Sequence, residues 1–227
     1  MDRVVTRLGA AAAMLGAVIA VVFNLLHPRS GDVGSAAEEV RLATEEGIWR
    51  FDHYMLAWTG VLLLFALVVI ARSFTREPAA SWGRVALPFG IGSTVILLVA
   101  IVVDGFALAE AGELADAAVA EAVAYVGGGL FLALIGSLFG ITPIVFGAAV
   151  LAGDDYPKWL GWAAVVAGLI GLLAASIIFF DGFSSFTTNV LFPISSLLFT
   201  VWVGVMGYML WQKTEAPVAQ VGTQPTV

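Results

Sequence analysis

Six apolar runs, each long enough to cross a lipid bilayer, divide the chain: Leu8–His27, Tyr54–Ala71, Val85–Ala109, Ala122–Ala152, Trp159–Phe180 and Val190–Gln212. A spanning helix needs about 20 mostly apolar residues, and only helices or closed barrels satisfy their backbone polar groups inside hydrocarbon. None of the runs alternates strictly between apolar and polar residues, which argues against a barrel. The expected fold is therefore all-α: a polytopic bundle of six transmembrane helices forming one domain over residues 1–213. Residues 214–227, rich in Thr, Pro, Gln and Val, read as a disordered cytoplasmic tail. Hydrophobic residues make up 60% of the chain and the mean hydropathy is +0.99, above the roughly 45–50% apolar content of a soluble domain. Six helices use nearly the whole length, so any function belongs to the bundle or its short loops. The absence of cysteine removes disulfides, thiolate metal sites and cysteine nucleophiles.

Charge sets the expected orientation. With the N-terminus inside, the inner segments carry Arg3, Arg7, Arg72, Arg76, Arg84, Lys158 and Lys213, against Arg29, Arg41 and Arg50 outside. The positive-inside rule then puts both termini in the cytoplasm. Trp82, Trp159 and Trp211 near inner boundaries and Trp49 near an outer one fit an aromatic belt. Arg-rich, Lys-poor usage with abundant Ala and Gly points to a prokaryote, hence to the plasma (inner) membrane. The opening apolar run reads as a retained first helix rather than a signal peptide, because it continues through Phe23–His27 without a clean cleavage signal.

Between the first two runs, Ser35-Ala-Ala-Glu38 has the form of a capping box. Val33, Ala37, Val40 and Thr44 follow at helical spacing, predicting a short amphipathic helix over the outer mouth. Ala122–Ala152 is too long for one perpendicular crossing, so a bend is expected at Gly127–Gly129 or at Pro143. Gly136 and Gly140 form a small-xxx-small pair that permits close helix contact. Trp82–Phe106 aligns without gaps on Trp159–Phe183, and both segments end in Asp-Gly-Phe. That alignment predicts a parallel duplication of helical hairpins, with Asp104 and Asp181 at equivalent outer positions in one cavity. Glu110, Glu113, Asp116 and Glu121 read as a solvated acidic loop.

The residues able to do chemistry gather on the outer side. Asn24 and His27 lie three apart on one helix face, Asp52 and His53 open the second span, and Asp104 and Asp181 sit near the ends of the third and fifth. Asp104 is placed about five residues, roughly 8 Å, inside its helix end, where an ionisable group needs a partner or a cavity. His27, His53 and Asp104 could hold Zn²⁺ with one open coordination position. The same groups could instead relay protons, since His titrates near neutrality. Absent motifs narrow the choice. No intramembrane Lys is available for a retinal Schiff base, and no phosphate-binding Gly-rich loop, HExxH or GxSxG occurs. A net charge of −7 and the lack of a basic patch exclude nucleic acid as a partner. Two histidines on adjacent helices at the membrane edge are poorly placed as paired haem ligands.

The Leu26-His-Pro28 ending of the first span, the Phe51-Asp-His53 opening of the second and the Tyr156-Pro-Lys-Trp-Leu-Gly-Trp162 turn resemble small, uncharacterised six-helix prokaryotic membrane proteins. That resemblance covers most of the chain and implies the fold but no established activity. Asn24-Leu-Leu-His27 is also faintly similar to the first motif of the ceramidase-like membrane hydrolases, which use three histidines, an aspartate and a serine around zinc. Only two histidines are present here and the paired-histidine motif is missing. The functional expectation is a binding or permease-like protein whose pocket handles a proton, a cation or a small amphiphile, with the bilayer as its partner. The alternatives are a metal-dependent hydrolase using His27, His53 and Asp104, and a structural or accessory subunit with no site.

Overall fold

The computed structural model describes residues 2–29, 34–114 and 116–215. Seven helices account for most of them, and no strand occurs among the described residues. These are α1 (Arg3–Leu26), α2 (Ala36–Glu45), α3 (Trp49–Ser73), α4 (Ala79–Glu113), α5 (Ala117–Ala152), α6 (Lys158–Asp181) and α7 (Thr187–Glu215). All except α2 are long and apolar enough to cross a membrane. Side chains such as Val18, Trp162, Leu169 and Phe180 face outward and are more than half exposed, which suits lipid and not water.

The six long helices pack as a closed ring in chain order, α1–α3–α4–α5–α6–α7, with α7 returning against α1. Short connections between antiparallel neighbours favour that order. The first and last helices bring the two ends of the described chain to one end of the ring. There the Arg7 Nε–H donates to Thr214 Oγ1 (3.2 Å), and Lys213 stands 3.6 Å from the Tyr156 ring centroid. Tyr156 ties the α5–α6 loop to α3: Ser73 Oγ donates its one proton to the Ile70 carbonyl (2.7 Å), so the Tyr156 hydroxyl donates to Ser73 Oγ (2.7 Å). The ring interior at this terminal end is filled by Leu67, Ile70, Phe146, Phe199, Trp202 and Met206.

Helix limits extend past the apolar runs. Trp49 rather than Tyr54 opens α3, which brings Asp52 and His53 inside the helix. Glu110 and Glu113, expected in a solvated loop, belong to the last turns of α4 and pair with Arg50 at 3.1 and 2.6 Å. Asp104 is thus nine residues, about 13 Å, from the end of α4, because the helix continues past the apolar run. Asp116 caps α5, accepting from the N–H groups of Ala118 and Val119. The last helix runs through Glu215, beyond the expected boundary at 213. The rest of the expected tail, 216–227, and Val33 of the expected outer helix lie outside the described residues.

Where a bend was expected, α5 carries a π turn at Ser137–Ile141, two residues before Pro143. Proline has no N–H to give the Phe139 carbonyl. Ser195 Oγ of α7 reaches that carbonyl instead (3.0 Å) and shares its proton with the Ala167 carbonyl (2.9 Å). The Gly127–Gly129 run stays helical. Gly140 serves packing as expected: a Cβ there would fall 2.7 Å from Leu172 Cδ2 of α6.

Candidate functional site

Away from the terminal end the ring interior is open. A cavity of about 560 Å³ runs between the six long helices, and its ionisable residues are grouped at the end beneath α2, with Thr59, Ser196 and Thr200 farther in. That helix starts where Ser35 Oγ accepts from the Glu38 N–H (3.4 Å), the serine half of the expected box. It docks through Leu42 and Ala43 on Trp49, Leu108 and Ala109, and Glu39 lines the cavity.

Two His–Asp pairs hold the mouth together. His27, at the end of α1, puts Nδ1 2.6 Å from Asp52 Oδ2 of α3. Asp52 is fully buried, and its Oδ1 has no hydrogen-bond partner. A buried carboxylate requires a donor, so the His27 Nδ1–H faces Asp52. Nε2 is left as the free nitrogen of a ring that is one-third exposed and lines the cavity.

His53 is almost wholly buried. Its Nδ1 lies 2.9 Å from the Trp49 carbonyl one turn earlier. A carbonyl only accepts, so Nδ1 carries a proton there. Nε2 then faces Asp104 Oδ2 at 3.2 Å. Neither a bare imidazole nitrogen nor a carboxylate can donate, so one proton lies between these two atoms. The Trp49 indole N–H donates to the Asp104 carbonyl (3.2 Å), and the His27, Trp49 and His53 rings stack around the mouth with centroids 4.5–5.5 Å apart.

Backbone makes room for this contact. Asp104 and Gly105 lie in a π turn of α4, Val103–Ala107, and a Cβ on Gly105 would fall 2.5 Å from His53 Cγ. Glycine is required because the imidazole lies against the α4 backbone. On the opposite side Gly127 of α5 leaves Asp104 open to the cavity: even a Cβ there would stand 3.8 Å from Asp104 Oδ1.

Five of the six residues expected at the site converge. Asn24, His27, His53 and Asp104 line the cavity, and Asp52 lies behind His27. Asp181 does not join them. It is exposed at the end of α6, where Ile178, Phe179, Gly182 and Phe183 line the cavity instead. The two Asp-Gly-Phe segments have different backbones: Gly105 continues a helix through a π turn, whereas Gly182 ends one with φ +85°. Equivalent positions for the two aspartates are therefore not realised.

The converging metal-ligand set also differs from the expected one. His27, Asp52 and His53 place ligand atoms within 4.8 Å of one another, whereas Asp104 meets His53 at its other ring nitrogen. Sequence reasoning missed Trp49, Gly105 and Glu39. Trp49 precedes His53 by four residues, the spacing at which a histidine Nδ1–H can reach a helical carbonyl, and that was the available signal. Burial pushes the Glu39 carboxyl up to about 7, reinforced by the Asp104 and Glu38 carboxylates and opposed by His53.

No protein-family model, curated protein or solved structure matches this chain.

Proposed function

We propose that the protein binds an amphiphile drawn from the bilayer, with the apolar chain inside the helix ring and the polar head against the two His–Asp pairs. One observation carries this reading: a cavity of about 560 Å³ whose depth is mostly apolar, with the hydroxyls of Thr59, Ser196 and Thr200 along it, and which ends on His27, His53, Asp104 and Glu39. Ligand pockets commonly fall in the range of about 300–1,000 Å³, with a few polar groups that orient the ligand. The His27 Nε2 and the proton between His53 and Asp104 supply an acceptor and an exchangeable donor for the head. Permease-like movement of the ligand or its proton is the extension this arrangement allows. The positive-inside rule supports cytoplasmic termini with the pocket mouth outside, and the Arg-rich, Lys-poor composition supports a prokaryotic inner membrane.

Native mass spectrometry of the purified protein, titrated with single-chain fatty amines, alcohols and acids, tests this. One saturable adduct per chain is expected, displaced by an unlabelled competitor. Adducts that accumulate without saturation for every head class would refute the reading.

Convergence of His27, Asp52 and His53 favours a second reading, a metal-dependent membrane hydrolase. It requires the His53 Nδ1 to release the Trp49 carbonyl and turn its lone pair to the ion. Stoichiometric zinc after purification that disappears in His27→Ala would support it, and metal content unchanged by that substitution would remove it.

A further inference from the structure

We infer that the cavity measures its ligand: it accepts one straight apolar chain of about 16 carbons, and Ala20 and Ser196 mark the middle of its depth. The inference rests on the amphiphile reading above and adds the length and number of chains.

On α1 the cavity wall runs from His27 at the mouth to Ala12 at the floor, 15 residues apart, or about 22 Å at 1.5 Å per residue. α7 runs the opposite way and gives a similar depth, from Thr188 to Val203, also 15 residues apart. An extended carbon chain with bonds of about 1.5 Å and angles near 111° advances about 1.25 Å per atom. A methyl contact of about 4 Å at the floor leaves about 18 Å, which takes roughly 15 to 16 carbons. The volume is of the same order: 560 Å³ lies within the roughly 300–1,000 Å³ of pockets that hold one small ligand.

The floor is closed by tightly packed side chains. Phe199 is 1% exposed and Val203 3%, so a longer chain cannot push through and its head must retreat from His27. Halfway down, the wall is small: Ala20 lies seven residues below His27 on α1, and Ser196 seven below Asn189 on α7, about 10 Å in each case. A bulky side chain at either position would block the lower half.

The test is competition against a fluorescent single-chain probe with the full chain in nanodiscs, corrected with empty discs. Saturated amines and acids from about 8 to about 22 carbons bracket the calculated length. Binding should peak near 16 carbons and weaken about tenfold for each head-group hydrogen bond a longer chain gives up. In Ala20→Phe the peak should move below about 10 carbons, since only about 10 Å of depth remains, while Ala20→Ser leaves it in place. Should Ala20→Phe not fold, Ser196→Leu makes the same cut from the opposite wall. Saturable binding with no length preference, or a peak that neither bulky variant moves, overturns the ruler but keeps the amphiphile site. Loss of saturable binding for every chain refutes both.

Discussion

Replacing Asp104 separates hydrogen bonding from proton sharing at the mouth. In Asp104→Asn, the side-chain amide can donate directly to His53 Nε2, because the Nδ1 proton is already committed to the Trp49 carbonyl 2.9 Å away. The contact survives without the shared proton. In Asp104→Ala, Nε2 loses its donor on a side chain only 3% exposed, and an unsatisfied buried group costs about 1–3 kcal/mol. Asp181 is exposed at a helix end, so Asp181→Asn should stay within about 0.5 kcal/mol of the parent. Thermal unfolding in one detergent should rank the parent, Asp181→Asn and Asp104→Asn close together, with Asp104→Ala clearly lower. Amphiphile binding should fall in both Asp104 variants, since each removes the exchangeable proton. An asparagine variant that melts as low as the alanine one would refute the argument that a single proton joins His53 to residue 104. So would an alanine variant as stable as the parent.

Other substitutions test the surrounding parts. Glu39 keeps its proton to about pH 7 when α2 is docked, whereas the unfolded segment releases it near the ordinary glutamate value of 4.5. Docking of α2 should therefore weaken as pH rises from about 4.5 through 7, by at most roughly 3 kcal/mol and less after solvent screening. Hydrogen exchange of the α2 amides should show that slope, and Glu39→Gln should flatten it. Gly105→Ala drives a methyl into the His53 ring and should cost about 1–3 kcal/mol by overpacking, read as a lower midpoint in thermal unfolding. His27→Ala strips the fully buried Asp52 of its partner and should be the most destabilising of the set, about 3–5 kcal/mol, with Asp52→Asn introduced alongside it restoring part of the loss. For orientation, a periplasmic-type reporter should be active when inserted within 36–44 and inactive at the C-terminus, and the reverse pattern would invert the assigned topology.

Legibility followed the range of the forces involved. The six spans could be read from the chain because transfer into lipid depends on the summed hydrophobicity of a local window. Grouping of Asn24, His27, Asp52, His53 and Asp104 at one end followed from the same count of crossings. Helix limits were less legible: Glu110 and Glu113 look like loop residues until Arg50, distant in sequence, is seen to pair with them. The duplicated Asp-Gly-Phe motif misled for a related reason. Two identical tripeptides took different backbones, since Gly105 has a ring packed on it while a Cβ on Gly182 would meet nothing within 4 Å. Only the tertiary structure decided which carboxylate serves which imidazole, that Asp52 lies behind His27 while Asp104 meets His53, and that Asp181 stands apart. Those pairings depend on how α1, α3 and α4 rotate against one another to bury Trp49 and seat His53 on Gly105. The cavity is likewise a property of the closed ring: it exists because large side chains fill the terminal end while small ones, Ala20 and Gly127 among them, line the other.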